Sequence, residues 1–344
     1  MNKIQELIKN VLKGKGVRIG LKDAVDVDRQ YTQNAAQISE AIQYFEKALK
    51  ETDLSKQIEL YNKVIKIDPQ SVEAYYNRGC AKDSLGQYGL AIADYDRTIE
   101  LSPQDVEAYY NRGIAKYSLG QYELAIADYD RAIELNPEDD RVYYNRGIAK
   151  FLLGQYESAL TDYDRAIELN PQYDKAYYNR GRVKDSLGQY ELAIADYDKT
   201  IELNPQDIEA YYNRGNVKLV LGQYELAIAD YDKVIDFNVQ DSKVYNSRGS
   251  AKFALGQHES AIADYDRAID LNPQYSNAYY NRGNAIYSLG RYKLAIVDYD
   301  RAIDLNPQDA EIYYYRGNAK FKLGLNESAE KDYAKAKELG YTEQ

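Results

Sequence analysis

Eight times, at an unbroken spacing of 34 residues, the chain writes Tyr-x-x-Arg-Gly, then a second Gly, then Ala-x-x-x-Tyr. The Arg-Gly pairs stand at 78–79, 112–113, 146–147, 180–181, 214–215, 248–249, 282–283 and 316–317. A fixed period of this size predicts a stacked-repeat architecture, in which each unit buries its apolar face against its neighbours. Residues present in every copy build the stack. Residues that vary, or that recur on an inner surface, are candidates for binding.

Composition follows the repeat. All 7 prolines share one phase, and 16 of the 21 glycines fall in the phases of Gly79 and Gly86. The net charge of -11 argues against nucleic acid, where many Lys and Arg must neutralise phosphates. One cysteine and one histidine cannot make an intrachain disulfide or a zinc site of the usual ligand set. No cofactor is expected. No apolar run reaches the ~20 residues that a membrane-spanning helix needs, and the N-terminus lacks the apolar core of a signal peptide. These features predict a soluble, cytoplasmic protein.

Within one unit, Tyr109, Gly113, Ala115 and Leu119 recur at steps of one helical face. Gly120-Gln121 breaks the pattern. A second helix carries Tyr122, Ala125, Ile126, Tyr129, Ile133 and Leu135, and Asn136-Pro137 stops it. Small residues such as Gly79, Ala81 and Ala91 let the two helices approach, while Ile92 and Ile99 face the following unit.

This spacing resembles the tetratricopeptide repeat at every anchor: Tyr109, Gly113, Ala125, Tyr129 and Pro137. Identity departs at two, where Arg112 replaces Leu and Lys116 replaces Tyr. The resemblance implies an all-α, right-handed superhelical solenoid of antiparallel helix pairs with about nine units. Residues 72–344 hold eight regular units. Residues 38–71 form a degenerate one, with a first helix from Ile38 to Glu51 and Tyr61 in the phase of Tyr95. Residues 1–37 are read as an N-terminal amphipathic helix and connector. In the eighth copy Glu330 and Lys337 stand where earlier copies have Ile, as a terminal cap requires.

Arg78 and Asp94 each recur in all eight copies, which predicts an ion pair inside each repeat, joined by Lys82 and its equivalents. An anion-binding arginine ladder is the alternative.

The resemblance also places the first helix of each unit along a concave groove. Two ladders then face a ligand. One is Asn77, Asn111, Asn145, Asn179, Asn213 and Asn281, and the other is Tyr76, Tyr110, Tyr144, Tyr178, Tyr212 and Tyr280. Tyr314 continues the second; Asn246 interrupts it. An Asn amide offers one acceptor and two donors, which match the N–H and C=O of a peptide unit. Asparagine ladders of this kind hold peptides in the repeat domains of O-GlcNAc transferase and kinesin light chain. Exposed tyrosines at seven of eight copies are more than packing explains, and they suit a binding surface. The plainer alternative has each Asn bonded to a neighbouring helix or to water.

Glu73, Asp83 and Glu107 make the start of the groove acidic, whereas Arg141, Lys175 and Arg182 make its middle basic despite Asp185. A ligand with a basic segment followed by an acidic one would complement this. The carboxylate clamp of chaperone-binding relatives is absent, because Tyr76 and its copies occupy the Lys position. His258 replaces a packing tyrosine, and Cys80 stands in the phase of Ile114. Neither reads as catalytic. Ile4, Leu7, Ile8, Val11 and Leu12 form an apolar stripe, which packs on the first repeat or a partner helix, or lies on a membrane. Packing on the repeat or a partner helix is the preferred reading, and any membrane contact would run through residues 1–13 alone.

The function expected is a non-enzymatic scaffold whose protein or peptide partner lies in the groove. A structural subunit that joins a larger complex, or self-associates through its ends or N-terminal helix, is the alternative.

Overall fold

A computed structural model of the protein describes residues 21–237 and 240–342, with side chains from residue 35. The apolar stripe from Ile4 to Leu12 lies outside the described residues. Among those described there are 18 α-helices and no strand. They fall into two compact units, divided between Leu153 and Gly154.

The first unit holds α1 (Leu21–Lys50), α2 (Leu54–Ile67), α3 (Val72–Ser84), α4 (Tyr88–Leu101), α5 (Val106–Ser118), α6 (Tyr122–Leu135) and α7 (Asp140–Leu152). The second holds α8 (Tyr156–Leu169), α9 (Asp174–Ser186), α10 (Tyr190–Leu203), α11 (Ile208–Val220), α12 (Tyr224–Asp236), α13 (Ser242–Ala254), α14 (His258–Leu271), α15 (Ser276–Ser288), α16 (Tyr292–Leu305), α17 (Ala310–Lys322) and α18 (Asn326–Glu338). The helix before Glu51 is longer than the apolar spacing suggested. Nothing between Leu21 and Lys50 is Gly or Pro, so no residue stops it upstream of Ile38.

Local chemistry sets the helix ends. The Asp105 carboxylate accepts from the Ala108 amide at 3.0 Å and caps α5. At the other end Gly120 takes φ 74°, and the Gln121 amide donates back to the Lys116 carbonyl at 3.0 Å. That closing turn needs a residue without a side-chain penalty in the left-handed region.

Within each unit, consecutive helices pack in pairs and successive pairs stack. Successive first helices also touch one another, as α3 with α5 and α13 with α15 do. The first-helix side is therefore the closer-packed side of each stack.

The core is tyrosine and alanine. Tyr95, Tyr129, Tyr197, Tyr231, Tyr265 and Tyr299 are almost wholly buried. Each ring lies over the glycine of its partner helix. A Cβ on Gly113 would sit 2.5 Å from Tyr129 Cε1, and one on Gly249 would sit 2.7 Å from Tyr265 Cε1. Real Cβ atoms do not approach so closely, so glycine is what admits the ring. Ile92 packs beside Ala115 of the next repeat, and Ile133 beside Val142. Glu330 and Lys337, which replace such isoleucines, are exposed.

Burial raises the phenol pKa of these rings, pushing Tyr265 to about 12. The unfolded phenol ionises near pH 10, so the folded state holds its protons over a window where the unfolded chain gives them up. The buried phenols' contribution is complete below pH 10 and is lost as pH rises toward 12. Urea unfolding followed by circular dichroism should show stability falling by about 1.4 kcal/mol per pH unit for each such tyrosine in that window. Stability unchanged from pH 9 to 12 would contradict a tyrosine core.

Candidate functional site

Each regular unit places its Arg at the junction of three groups. Arg112 shows the arrangement. Its Nε and Nη2 donate to the two oxygens of Asp128 at 2.9 and 2.6 Å, within its own repeat. Its Nη1 donates to Asp96 of the preceding repeat at 2.6 Å. Lys116 Nζ reaches Asp128 at 2.7 Å, and the guanidinium lies 5.5 Å from the centre of the Tyr109 ring. The fork of Arg suits this two-sided contact, which a lysine could not make.

The pairing within repeats recurs as Arg78–Asp94, Arg180–Asp196, Arg214–Asp230, Arg248–Asp264, Arg282–Asp298 and Arg316–Asp332. The bridge to the preceding repeat recurs as Arg146–Asp130, Arg180–Asp164, Arg214–Asp198, Arg248–Asp232, Arg282–Asp266 and Arg316–Asp300. Arg78 finds Asn62 of the degenerate unit instead, at 2.6 Å. Burial works against the charge of Arg180, but its bonds to Asp196 and Asp164 outweigh that and raise its pKa. The expected ion pair is therefore present, and these guanidinium groups are occupied rather than free for an anion.

The second aspartate of each Asp-Tyr-Asp was not assigned from sequence. A signal was there: seven copies carry it, and the last has Ala334, where no further Arg follows in the chain.

Removing Arg214 leaves the buried Asp230 with Lys218 alone, at 2.8 Å. Arg214→Ala should lower stability by about 3 kcal/mol in urea unfolding. A change under about 0.5 kcal/mol would show that Lys218 and solvent suffice for Asp230 and that the arginine bond adds little.

The two ladders lie on the first helices and lock together. Asn111 Nδ2 donates to the Tyr76 hydroxyl at 2.8 Å, Asn145 to Tyr110 at 2.9 Å and Asn213 to Tyr178 at 2.9 Å. Each bond joins a repeat to the one before it. Asn281 donates to Asn246 at 3.0 Å, so the amide that interrupts the tyrosine row preserves the bond. Asn77, at the start, donates to the Glu73 carbonyl. Among the described residues, the Oδ1 atoms of Asn111, Asn145 and Asn213 carry no partner.

The tyrosines of this row are half-buried, not fully exposed as the sequence suggested. Tyr76 packs on Tyr95 at 6.1 Å, Tyr110 on Tyr129 at 6.2 Å, Tyr178 on Tyr197 at 6.0 Å, Tyr212 on Tyr231 at 6.1 Å and Tyr280 on Tyr299 at 6.2 Å. Packing therefore accounts for much of each ring, and the free edge and hydroxyl form the surface. Burial raises the phenol pKa of Tyr76, Tyr110, Tyr178 and Tyr280, so these groups stay neutral hydrogen-bonding partners at ordinary pH. Tyr144 and Asn179 are half-buried like their equivalents.

The basic middle read from Arg141 is largely compensated. Arg141 bonds Glu107 and Asp139, each at 2.6 Å, and lies 4.9 Å over Tyr110. Arg182 lies 5.8 Å over Tyr178 and donates to Asn179 at 3.3 Å. Conversely, one buried oxygen of Asp83 has no partner, and burial raises its pKa.

Two residues set aside from sequence behave as packing groups. The His258 ring rests on Phe253 at 5.2 Å, as Tyr122 rests on Tyr117 at 5.5 Å. Cys80 accepts from the Tyr95 hydroxyl at 3.6 Å, and burial pushes its thiol up, away from the reactive thiolate. Among the described residues no group of His, Cys, Asp and Glu could hold a metal ion, and no helix is long and apolar enough to cross a membrane.

Stacked helix pairs of 34 residues with this anchor set define a helical-repeat protein of the interaction-scaffold class. Three family models match it. One described as TPR repeat covers 84–120, 186–222, 249–290 and 283–324. Two described as Tetratricopeptide repeat cover 106–139, 141–173 and 208–241, and 60–93 and 162–195. The chain belongs to the tetratricopeptide repeat family. No curated protein matches it. Among solved structures, a tetratricopeptide repeat protein from Parabacteroides merdae is 22% identical with a TM-score of 0.53, over 75% of this chain and 99% of that one. PilF of Pseudomonas aeruginosa is 17% identical with a TM-score of 0.53, over 61% and 96%. MamA of Desulfovibrio magneticus is 24% identical with a TM-score of 0.48, over 49% and 95%. The first two show the fold alone.

Proposed function

We propose that the chain is a non-enzymatic scaffold that holds an extended peptide segment of another protein along its first-helix side. The observation that supports this is the state of the asparagine row. The amide nitrogens of Asn111, Asn145 and Asn213 are spent on the preceding tyrosine, which fixes each side chain, while each Oδ1 stays unpartnered. A row of fixed acceptors beside tyrosine hydroxyls suits the N–H groups of an extended backbone, whatever its sequence. Preorganised side chains of this kind bind without the cost of ordering them on contact.

A second reading, an assembly subunit, draws support from the outer helices. Leu90 and Leu124 in the first unit are each over half exposed, as are Leu192, Leu226 and Leu294 in the second, all in one repeat phase. Such recurring apolar exposure suits a partner surface.

The two readings separate in one experiment. Peptides selected from a displayed random library against the intact chain are measured against Asn145→Ala, Asn179→Ala and Asn213→Ala combined. Loss of the free acceptors of Asn145 and Asn213 should weaken binding by more than about tenfold, with helicity retained. Unchanged peptide affinity would contradict the groove reading, and unchanged self-association would be consistent with the outer leucines alone carrying assembly.

A further inference from the structure

The last helix pair of the second unit, α17 and α18, borders a cleft of about 890 Å³, in which Tyr314 is the one residue of the ladders. Its walls are aromatic. Tyr341 lies flat on Tyr314, with ring centres 4.3 Å apart and planes 20° from parallel. Tyr287 lines the same cleft, and Phe321 leaves 57% of its surface to solvent there.

Its charged groups are both cations, and its neutral polar groups are the tyrosine hydroxyls, Thr342 and Asn318. Asn318 spends its Oδ1 on the Tyr333 hydroxyl at 2.9 Å, which leaves its NH₂ without a partner among the described residues. Lys322 and Lys337 complete the lining, and neither has an acidic partner among the described residues. Lysines nearby differ: Lys320 pairs with Asp332, Lys331 with Glu327 and Lys335 with Glu338. Among the described residues no carboxylate lines the cleft. Two lysines with no acidic partner among the described residues, beside the exposed Phe321 ring, stand out in a chain of net charge -11.

We infer that this cleft binds an acidic peptide segment carrying an aromatic side chain: the ring stacks among Tyr287, Tyr314 and Phe321, and flanking Asp or Glu side chains meet Lys322, Lys337 and the Asn318 amide. Aromatic faces favour another ring at stacking distance, and the donors require acceptors of negative charge. A single-stranded nucleic acid offers rings and negative charge too, but the overall charge of the chain opposes it. The cleft uses none of the ladder residues from Asn77 to Asn281, so it stands apart from the groove reading.

Fluorescence anisotropy with the full chain tests the assignment. The probe is a labelled peptide of repeated Glu-Glu-Phe, acetylated and amidated so that only side chains carry charge. It should bind at least tenfold more tightly than the Lys-Lys-Phe counterpart and weaken with salt. The exposed pair Lys322→Glu and Lys337→Glu should cost at least tenfold without shifting thermal unfolding. The triple asparagine variant should bind the probe as the native chain does. Equal affinity for the two peptides would overturn the inference, as would indifference to the charge reversal. So would binding that requires a free C-terminus, equal or tighter binding of oligothymidine, or loss of binding in the asparagine variant.

Discussion

The arginine of each regular repeat is the joint on which the described structure depends. As Arg112 shows, its guanidinium grips an aspartate of its own second helix and another in the second helix of the previous repeat, where Arg78 finds Asn62. Helix pairs of this size bury too little surface to stand alone, so what fixes one pair on the next determines whether there is a stack at all. Apolar contacts such as Ile133 on Val142 supply attraction without direction. The arginine fork supplies direction, because its bonds form in one relative placement of three helices. It also explains the buried aspartates. Asp94, Asp128 and Asp196 are each nearly inaccessible and each met by two cations. Isolated, such charges would oppose folding.

On the opposite edge of the same first helices, the asparagine-to-tyrosine bonds repeat the connection in neutral form. The tyrosine of that bond leans on the deep tyrosine of its own repeat, and the deep ring fills the space over glycine. One chain of contact thus runs from core to surface. The row is rigid because its rings are half-buried and its amides are already bonded.

The repeat count, the two-helix unit, the turn glycines and the Arg–Asp pair were legible in the sequence because each follows from a period. Features that depend on which neighbour a side chain meets were not. Arg141 varies between repeats, so no period revealed that Glu107 and Asp139 hold it over Tyr110. The Tyr76 row looked exposed, because spacing places a residue on a face but does not say how deeply a neighbouring ring underlies it. The second aspartate could have been found: Asp-Tyr-Asp becomes Asp-Tyr-Ala in the eighth copy, which is what a bridge to a following repeat implies. The length of α1 could not, since its first half carries no repeat signal.

A double-mutant cycle on Asp232 and Arg248, which meet at 2.6 Å across a repeat boundary, tests the central claim most directly. Urea unfolding of Asp232→Ala, Arg248→Ala and the pair together gives the coupling between repeats. A joint of the kind described predicts a coupling of about 1 kcal/mol. Additive effects, within about 0.3 kcal/mol, would show that the arginine does not fix one repeat on the next.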